Sequence, residues 1–241
     1  MSIEISPIGY INTPYKEKFA IPRQPGLVTA ARGQIHFYQA FNSVDFIRGI
    51  EQFSHLWLIF QFHQTANKST SPLVRPPRLG GNAKVGVFAS RSTHRPNNLG
   101  MSAVKLEKII SEDGQQSLLI SGMDLLDNTP IIDIKPYIPY SDSIPLAEAG
   151  YGQTRPQDSL VVKFSQAANE QLIIHQPQYP QLTVLIEQIL GQDPRPAYHK
   201  NKPSERLYGV TLYNLNIQWR VDGKTCVVEH INKVQNEGLV P

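Results

Sequence analysis

The chain has 241 residues, of which 40% are hydrophobic and 18% charged, with 19 prolines and a formal net charge of +3. That length admits one large domain, or a medium one with a small companion, and the composition excludes a disordered or fibrous chain. The single cysteine, Cys226, excludes an internal disulfide and a cysteine-based zinc site, and it fits a reducing compartment.

Met1 to Tyr10 carries neither a basic n-region nor an apolar h-region. The longest apolar run, Leu56 to Phe60, has five residues, against the ~18 that a membrane span needs. The expectation is a cytoplasmic protein that makes no use of a membrane.

Taken in chain order, the first part reads as strands separated by long loops. The runs are Ile3 to Ile11, Gln34 to Tyr38, Leu56 to Phe62, Val85 to Ala89, Ala103 to Ile110, Leu118 to Met123 and Pro130 to Tyr137. Leu56 to Phe60 is continuously apolar, which predicts burial on both faces. Asn42-Ser43 before Val44 to Gly49 predicts a short capped helix. Strands of this number, with so little helix between them, predict a closed or partly closed barrel, which leaves no exposed sheet edge.

Gly150 to Pro156 reads as a linker, and the pattern then changes. Leu160 to Phe164 predicts a strand, and Ser165 to His175 a helix with Ser165 as its cap. Pro180 to Leu190 predicts a helix whose buried face is Leu182, Leu185, Ile186, Ile189 and Leu190, begun by Pro180 and ended by Gly191. Leu207 to Leu212, Leu215 to Val221 and Thr225 to Ile231 predict strands, the last two joined at Asp222-Gly223. The expected fold is mainly β: a closed barrel over residues 1–156 and a smaller α+β domain over 157–241.

The usual nucleotide and hydrolase motifs are missing. There is no GxGxxG, no Walker A loop and no GxSxG, and the seven histidines never fall into HxH or HxxxH spacing. No metal site is expected. Charge is unevenly spread: Lys68 to Lys108 holds eight Lys/Arg and one acid, whereas Ile109 to Glu187 holds three Lys/Arg and ten acids. The first stretch would attract a polyanion and the second repel it, unless the asymmetry is an ordinary solvated surface.

Two constellations interrupt the strands. One runs Arg75-Pro-Pro-Arg78-Leu-Gly-Gly-Asn82, Val85-Gly-Val-Phe-Ala-Ser90 and Arg91-Ser-Thr-His-Arg95-Pro-Asn-Asn-Leu-Gly100. Long loops with paired arginines are costly to order, and arginine forks suit phosphates and carboxylates. The other is Asp124-Leu-Leu-Asp127-Asn-Thr-Pro130, then Asp133-Ile-Lys-Pro-Tyr137. A carboxylate at a strand end can accept from a ribose or amino group, or can cap its own loop as an Asx-turn, and for Asp127-Asn128 both readings stand. His55 reads as a core or edge histidine, and His63 sits where a strand mouth would face a ligand.

Together these segments resemble the TsaA/TrmO family of tRNA methyltransferases. The matching strings are Tyr15 to Leu27, Phe53-Ser-His-Leu-Trp57, Phe62-His-Gln64, Arg75 to Asn82, Gly86 to Asn97 and Asp133 to Tyr137, with Asp193-Pro-Arg-Pro-Ala-Tyr198 marking members with an added C-terminal domain. The resemblance implies a β-barrel catalytic core, S-adenosyl-L-methionine as cofactor and a homodimer. It also implies methylation of N6 of threonylcarbamoyl-adenosine at position 37 of a threonine tRNA. By position it puts the cofactor on Gln24, Pro25, Gly26, His63, Gln64, Arg91, Met101, Asp124, Leu125, Leu126 and Asp127. Asn98 and Asn128 depart from the family pattern, which often has proline and glycine there; asparagine tolerates the left-handed backbone that the second position asks for.

The nucleophile of such a reaction is a ureido nitrogen that stays weak until its proton leaves, so a base within reach is expected, and Asp133 and Tyr137 are the candidates. A threonyl carboxylate would need a cation, from Arg75, Arg78 or Arg95. Lys200, Lys202 and Arg206 would add phosphate contacts, and Tyr137, Tyr140 and Tyr198 are candidates for stacking on bases. A tRNA-binding module without catalysis, and a methyltransferase with a non-RNA substrate, are the competing readings.

Overall fold

The computed structural model describes residues 3–66, 71–157, 159–195 and 204–234. Six strands close a barrel in the order β1-β2-β7-β6-β3-β8, and every neighbouring pair is antiparallel. They are β1 (Gly9–Asn12), β2 (Arg32–Phe37), β3 (His55–Gln61), β6 (Leu99–Glu112), β7 (Gln115–Ser121) and β8 (Thr129–Pro136). The inward positions alternate along each strand, so Ile11, Ile35, Leu56, Leu58, Phe60, Val104, Leu118, Ile120 and Ile131 fill the interior. Each such side chain stabilises the fold by about 1.5–3 kcal/mol. Asp113 and Gly114, both at positive φ, form the tight turn between β6 and β7, the geometry that matches strand twist.

The period-two alternation corrects the reading of Leu56 to Phe60. Leu56, Leu58 and Phe60 point inward, whereas Trp57 and Ile59 face outward and are only partly covered. A closed barrel packs one face of each strand, so a continuously apolar run need not be buried on both. Two further differences concern length. β1 is confined to Gly9–Asn12, and Ile3 and Ile5 are exposed. Val85 to Ala89 yields only a two-residue strand, β5 (Val85–Gly86), paired with β4 (Leu73–Val74). There the Ser90 hydroxyl (2.8 Å) and the Arg95 guanidinium (3.3 Å) donate to the Val87 carbonyl and hold the chain in a 3-10 turn.

Helix α1 (Val44–Ile47) is short, its Ser43 cap accepting from the Asp45 amide. Helix α2 (Pro139–Asp142) follows β8, and its Asp142 accepts from the Trp57 indole at 2.9 Å. The Trp57 and Ile138 bonds hold the Asp142 carboxyl below its ordinary range, the Ile138 amide contributing most.

The second part is a four-stranded sheet of order β10-β11-β12-β9. It comprises β9 (Val161–Phe164), β10 (Ser204–Leu212), β11 (Leu215–Asp222) and β12 (Thr225–Lys233), with α3 (Gln166–His175) and α4 (Leu182–Gly191) connecting β9 to the rest. The expected face of α4 is buried throughout, at Leu182, Leu185, Ile186, Ile189 and Leu190. The Ser165 hydroxyl caps α3 by accepting from the Ala168 amide at 3.0 Å. Asp222 pairs with Thr225, so Gly223 and Lys224 are the turn residues and Asp222 still belongs to the strand.

One hydrophobic core runs through both parts, from Leu118 in the barrel to Ile186 and Trp219 in the second. At the seam Tyr15 bridges to Leu212, the Tyr213 amide donates to the Pro14 carbonyl (2.9 Å), and the Gln188 side chain accepts from the Ala30 amide (2.9 Å). No helix of the described residues is long and apolar enough to cross a membrane.

Candidate functional site at the barrel mouth

The expected cofactor residues gather at the end of the barrel where β1, β3 and β7 finish and β6 and β8 begin. Gln24, Pro25 and Gly26 lie on the loop between β1 and β2. The Gly26 amide donates to the Gly122 carbonyl at 2.8 Å, and both glycines take positive φ. Gln24 accepts from the Arg91 guanidinium at 2.6 Å, which joins that loop to the arginine-rich one. Gly100, at the start of β6, is a close-approach position: a Cβ there would meet the Phe60 ring at 2.4 Å.

Asp124 follows β7 and turns back across the mouth. It accepts from the Ser102 hydroxyl at 2.6 Å. Burial pushes its carboxyl up to about 6, against the opposing pull of the Ser102 bond, its own backbone amide and the Arg91 charge. The Tyr15 hydroxyl is buried with no hydrogen-bond partner among the described residues. Its pKa is raised well above the ordinary value by burial first, then by Tyr213 and Asp124. Leu125 is fully buried and Leu126 half-buried, so their side chains anchor the turn, and the Leu125 carbonyl accepts from the Thr13 hydroxyl at 3.1 Å.

Asp127 has a different environment. Its carboxylate accepts from the Thr13 amide at 2.8 Å and the Asn128 amide group at 2.9 Å, and it pairs with Lys16 at 2.5 Å. Those partners make it the pin that ties the chain after β1 to the turn before β8. Asn128 takes φ 59°, as a position suited to glycine would. Asn98 takes φ 49°, a value closed to proline.

His63 and Gln64 form the 3-10 turn after β3, and burial lowers the His63 pKa against an opposing bond to Gln61. The Thr65 hydroxyl donates to the Thr93 carbonyl at 2.9 Å, which brings this turn against the arginine-rich loop. Met101 lies on the outer face of β6 and is 60% exposed. It pairs with Ile59, which in turn pairs with Asp133, so these three form a row across β6, β3 and β8. Tyr137 packs on Trp57, with ring centroids 5.5 Å apart, and edge-on to His55 at 6.3 Å. The two base candidates therefore lie on the outside of the barrel, and Asp124 lies at its mouth.

Of the arginines expected to meet an anion, Arg78 donates to Thr154 and Arg95 donates to the Ser90 carbonyl at 2.8 Å. Arg75 is exposed and makes no ion pair among the described residues. Lys68, Tyr198, Lys200 and Lys202 lie outside the described residues. Tyr140 is 91% exposed.

Sequence reasoning missed Ser102, whose signal was a polar residue at an inward position of an alternating strand. It also missed Arg155, which donates to the Gly26 carbonyl at 3.4 Å, and for this no local signal exists. Among the described residues no three His, Cys, Asp or Glu side chains converge as a metal site.

Comparison with known proteins agrees in both parts. The profile of the tRNA-methyltransferase O N-terminal domain matches residues 10–143, and that of the TrmO C-terminal domain matches residues 157–234. A tRNA (adenine(37)-N6)-methyltransferase of Escherichia coli (strain K12) is 49% identical over 220 residues, covering 91% of this chain and 94% of that protein. A candidate S-adenosylmethionine-dependent methyltransferase of Pseudomonas aeruginosa is likewise 49% identical, covering 91% and 93%. The crystal structure of TrmO from Pseudomonas aeruginosa superposes with a TM-score of 0.79 at 40% identity, covering 96% of this chain and 98% of that one.

Proposed function

The chain belongs to the tRNA-methyltransferase O family, and on that premise we propose that it methylates N6 of threonylcarbamoyl-adenosine at position 37 of a threonine tRNA, with S-adenosyl-L-methionine as donor. Its class is tRNA (adenine(37)-N6)-methyltransferase. In this reading residues 1–156 form the cofactor-binding barrel and 157–241 the smaller domain, and the enzyme works as a homodimer in the cytoplasm. The outward row of Ile59 and the exposed Met101 supports a second copy as a neighbour.

The mouth suits the cofactor chemically. Asp124 is a carboxylate whose charge is under-compensated, and a ligand with ammonium and sulfonium charges would offset that deficit. Arg91 would face the ligand's carboxylate, and the unpartnered Tyr15 hydroxyl offers a further polar contact. Gln24 to Gly26, His63, Gln64, Met101 and the Asp124 to Asp127 turn would complete the pocket, with Asp127 acting through the backbone it pins. The bound cofactor would supply an already activated methyl group on sulfur.

The protein's own work is alignment and proton removal. Holding the reacting atoms in line can supply about 7–11 kcal/mol of barrier reduction in favourable cases. Asp133 as a carboxylate, or Tyr137 as a phenolate, accepts the proton of the ureido nitrogen, which raises that nitrogen's nucleophilicity. Arg75, Arg78 and Arg95, with Tyr198, Lys200 and Lys202, hold the RNA. The observation that carries the reading is the 49% identity to the Escherichia coli enzyme across 91% of the chain.

The test is incubation of the purified protein with labelled S-adenosyl-L-methionine and cellular tRNA, followed by digestion and mass spectrometry of the nucleosides. A methyl on N6 of threonylcarbamoyl-adenosine is the expected product. Methylation of unmodified adenosine alone would refute the substrate. Near-normal turnover in both Asp133→Asn and Tyr137→Phe would remove both from the role of base.

A further inference from the structure

The short ribbon of β4 and β5 carries two like charges at one end. Val74 pairs with Val85, so the next residues outward, Arg75 and Lys84, stand on opposite sides of the same ribbon end. Like charges so placed repel, and neither side chain makes an ion pair among the described residues. Both line a cleft of about 480 Å³ whose walls also include Leu73, Val74, Ser92 and His94, with no carboxylate among its described lining residues. Leu73 is half exposed there. The His94 amide donates to the Ser92 hydroxyl at 3.1 Å, which fixes the bend that carries the imidazole. The neighbouring Thr93 carbonyl holds the Thr65 hydroxyl, so the cleft adjoins the His63-Gln64 turn.

A lone phosphate or carboxylate needs far less room than this cleft offers. The apolar wall and the imidazole suit a base, and the two opposed cations suit the phosphate attached to it. We propose that this cleft seats a nucleotide of the RNA flanking the one that is methylated, with its backbone phosphate between Arg75 and Lys84 and its base against His94 and Leu73. This rests on the function proposed above, and it adds Lys84 and His94 to the RNA-binding surface.

The test uses the full chain, an unmodified tRNA transcript and the same tRNA carrying threonylcarbamoyl-adenosine, with binding measured over a series of salt concentrations. The doubly substituted Arg75→Ala, Lys84→Ala protein is expected to bind both RNAs about tenfold more weakly, with the salt slope shallower by about 0.7 for one lost phosphate contact. His94→Ala is expected to weaken both about tenfold, and His94→Phe to restore most of that loss by stacking. Unchanged affinity and slope in the double variant would overturn the proposal. A loss confined to the modified tRNA would also overturn it, placing the threonyl carboxylate between the two cations. Failure of the wild-type protein to bind either RNA would instead refute the functional reading on which the cleft depends.

Discussion

Two carboxylates of this molecule, Asp193 and Asp124, are compensated in opposite ways. Asp193, beside the smaller sheet, is 4% exposed and bonds Arg195 through both of its oxygens, at 2.7 and 3.0 Å. Arg195 is itself 7% exposed, its pKa raised chiefly by that bond, and it lies 6.0 Å from the Tyr208 ring. Asp124, at the barrel mouth, has the Ser102 hydroxyl, its own backbone amide and the Arg91 charge, but no paired cation, to offset its burial, so its carboxyl rises to about 6. The charge of Asp193 is closed by its own pair. That of Asp124 is left open, which is where a charged ligand gains most.

The comparison breaks first at Asp193. Asp193→Ala would remove the carboxylate that pairs with the buried Arg195, and a loss of about 3–5 kcal/mol is expected in chemical denaturation. A loss below ~1 kcal/mol would mean that the pair is looser than its geometry.

Asp124→Asn should move stability the other way. A carboxyl raised from 3.8 to about 6 favours the native state fully below the unfolded value, and that contribution is lost as pH rises through about 6. At pH 7.5 the variant should therefore be more stable than the wild type by about 2–3 kcal/mol, with the difference vanishing below about pH 4. Its affinity for S-adenosyl-L-methionine should fall about tenfold, the loss of one charged hydrogen bond. Stability curves that run parallel from pH 4 to 7.5 would equalise the two carboxylates and end the contrast.

Asp127 supplies the smallest effect and sharpens the comparison within a single turn. Its partners are the Thr13 amide, the Asn128 side chain and Lys16, whose side chain is 37% exposed. Asp127→Ala should cost about 1–2 kcal/mol, as loss of a capping carboxylate does, and Lys16→Ala no more than about 1 kcal/mol. If Lys16→Ala matches Asp127→Ala in calorimetry, the ion pair rather than the amide bond holds the turn.

Sequence periodicity reached the parts of the fold that local pattern governs. The buried face of α4 was legible because its five apolar residues recur at helical spacing and the face packs onto the shared core. The barrel strands were legible because alternating runs ended at Gly, Pro and Asn. Val85 to Ala89 misled because one side chain, Arg95, lying five and eight residues beyond the two carbonyls it bonds, redirects the backbone, and no pairwise propensity contains that. The site was legible as strings and illegible as groups. Nothing in the chain order says that Gln24 meets Arg91, that Ser102 meets Asp124, or that Asp133 shares a row with Met101.

The loop of residues 24–30 is held at four places, the first being the bond of Gln24 to Arg91. Gly26 hangs from Gly122 of the barrel, Arg155 of the connector reaches the Gly26 carbonyl, and Gln188 of α4 holds both the Ala30 amide and the Thr29 hydroxyl. None of these anchors is a neighbour in sequence. Cutting the chain at the connector, or grafting the barrel alone into another scaffold, would free two of the four mounts while leaving every strand of the barrel in place. The result would be an intact container with a slack rim, so the smaller part serves the loop as a bracket whether or not it ever touches RNA.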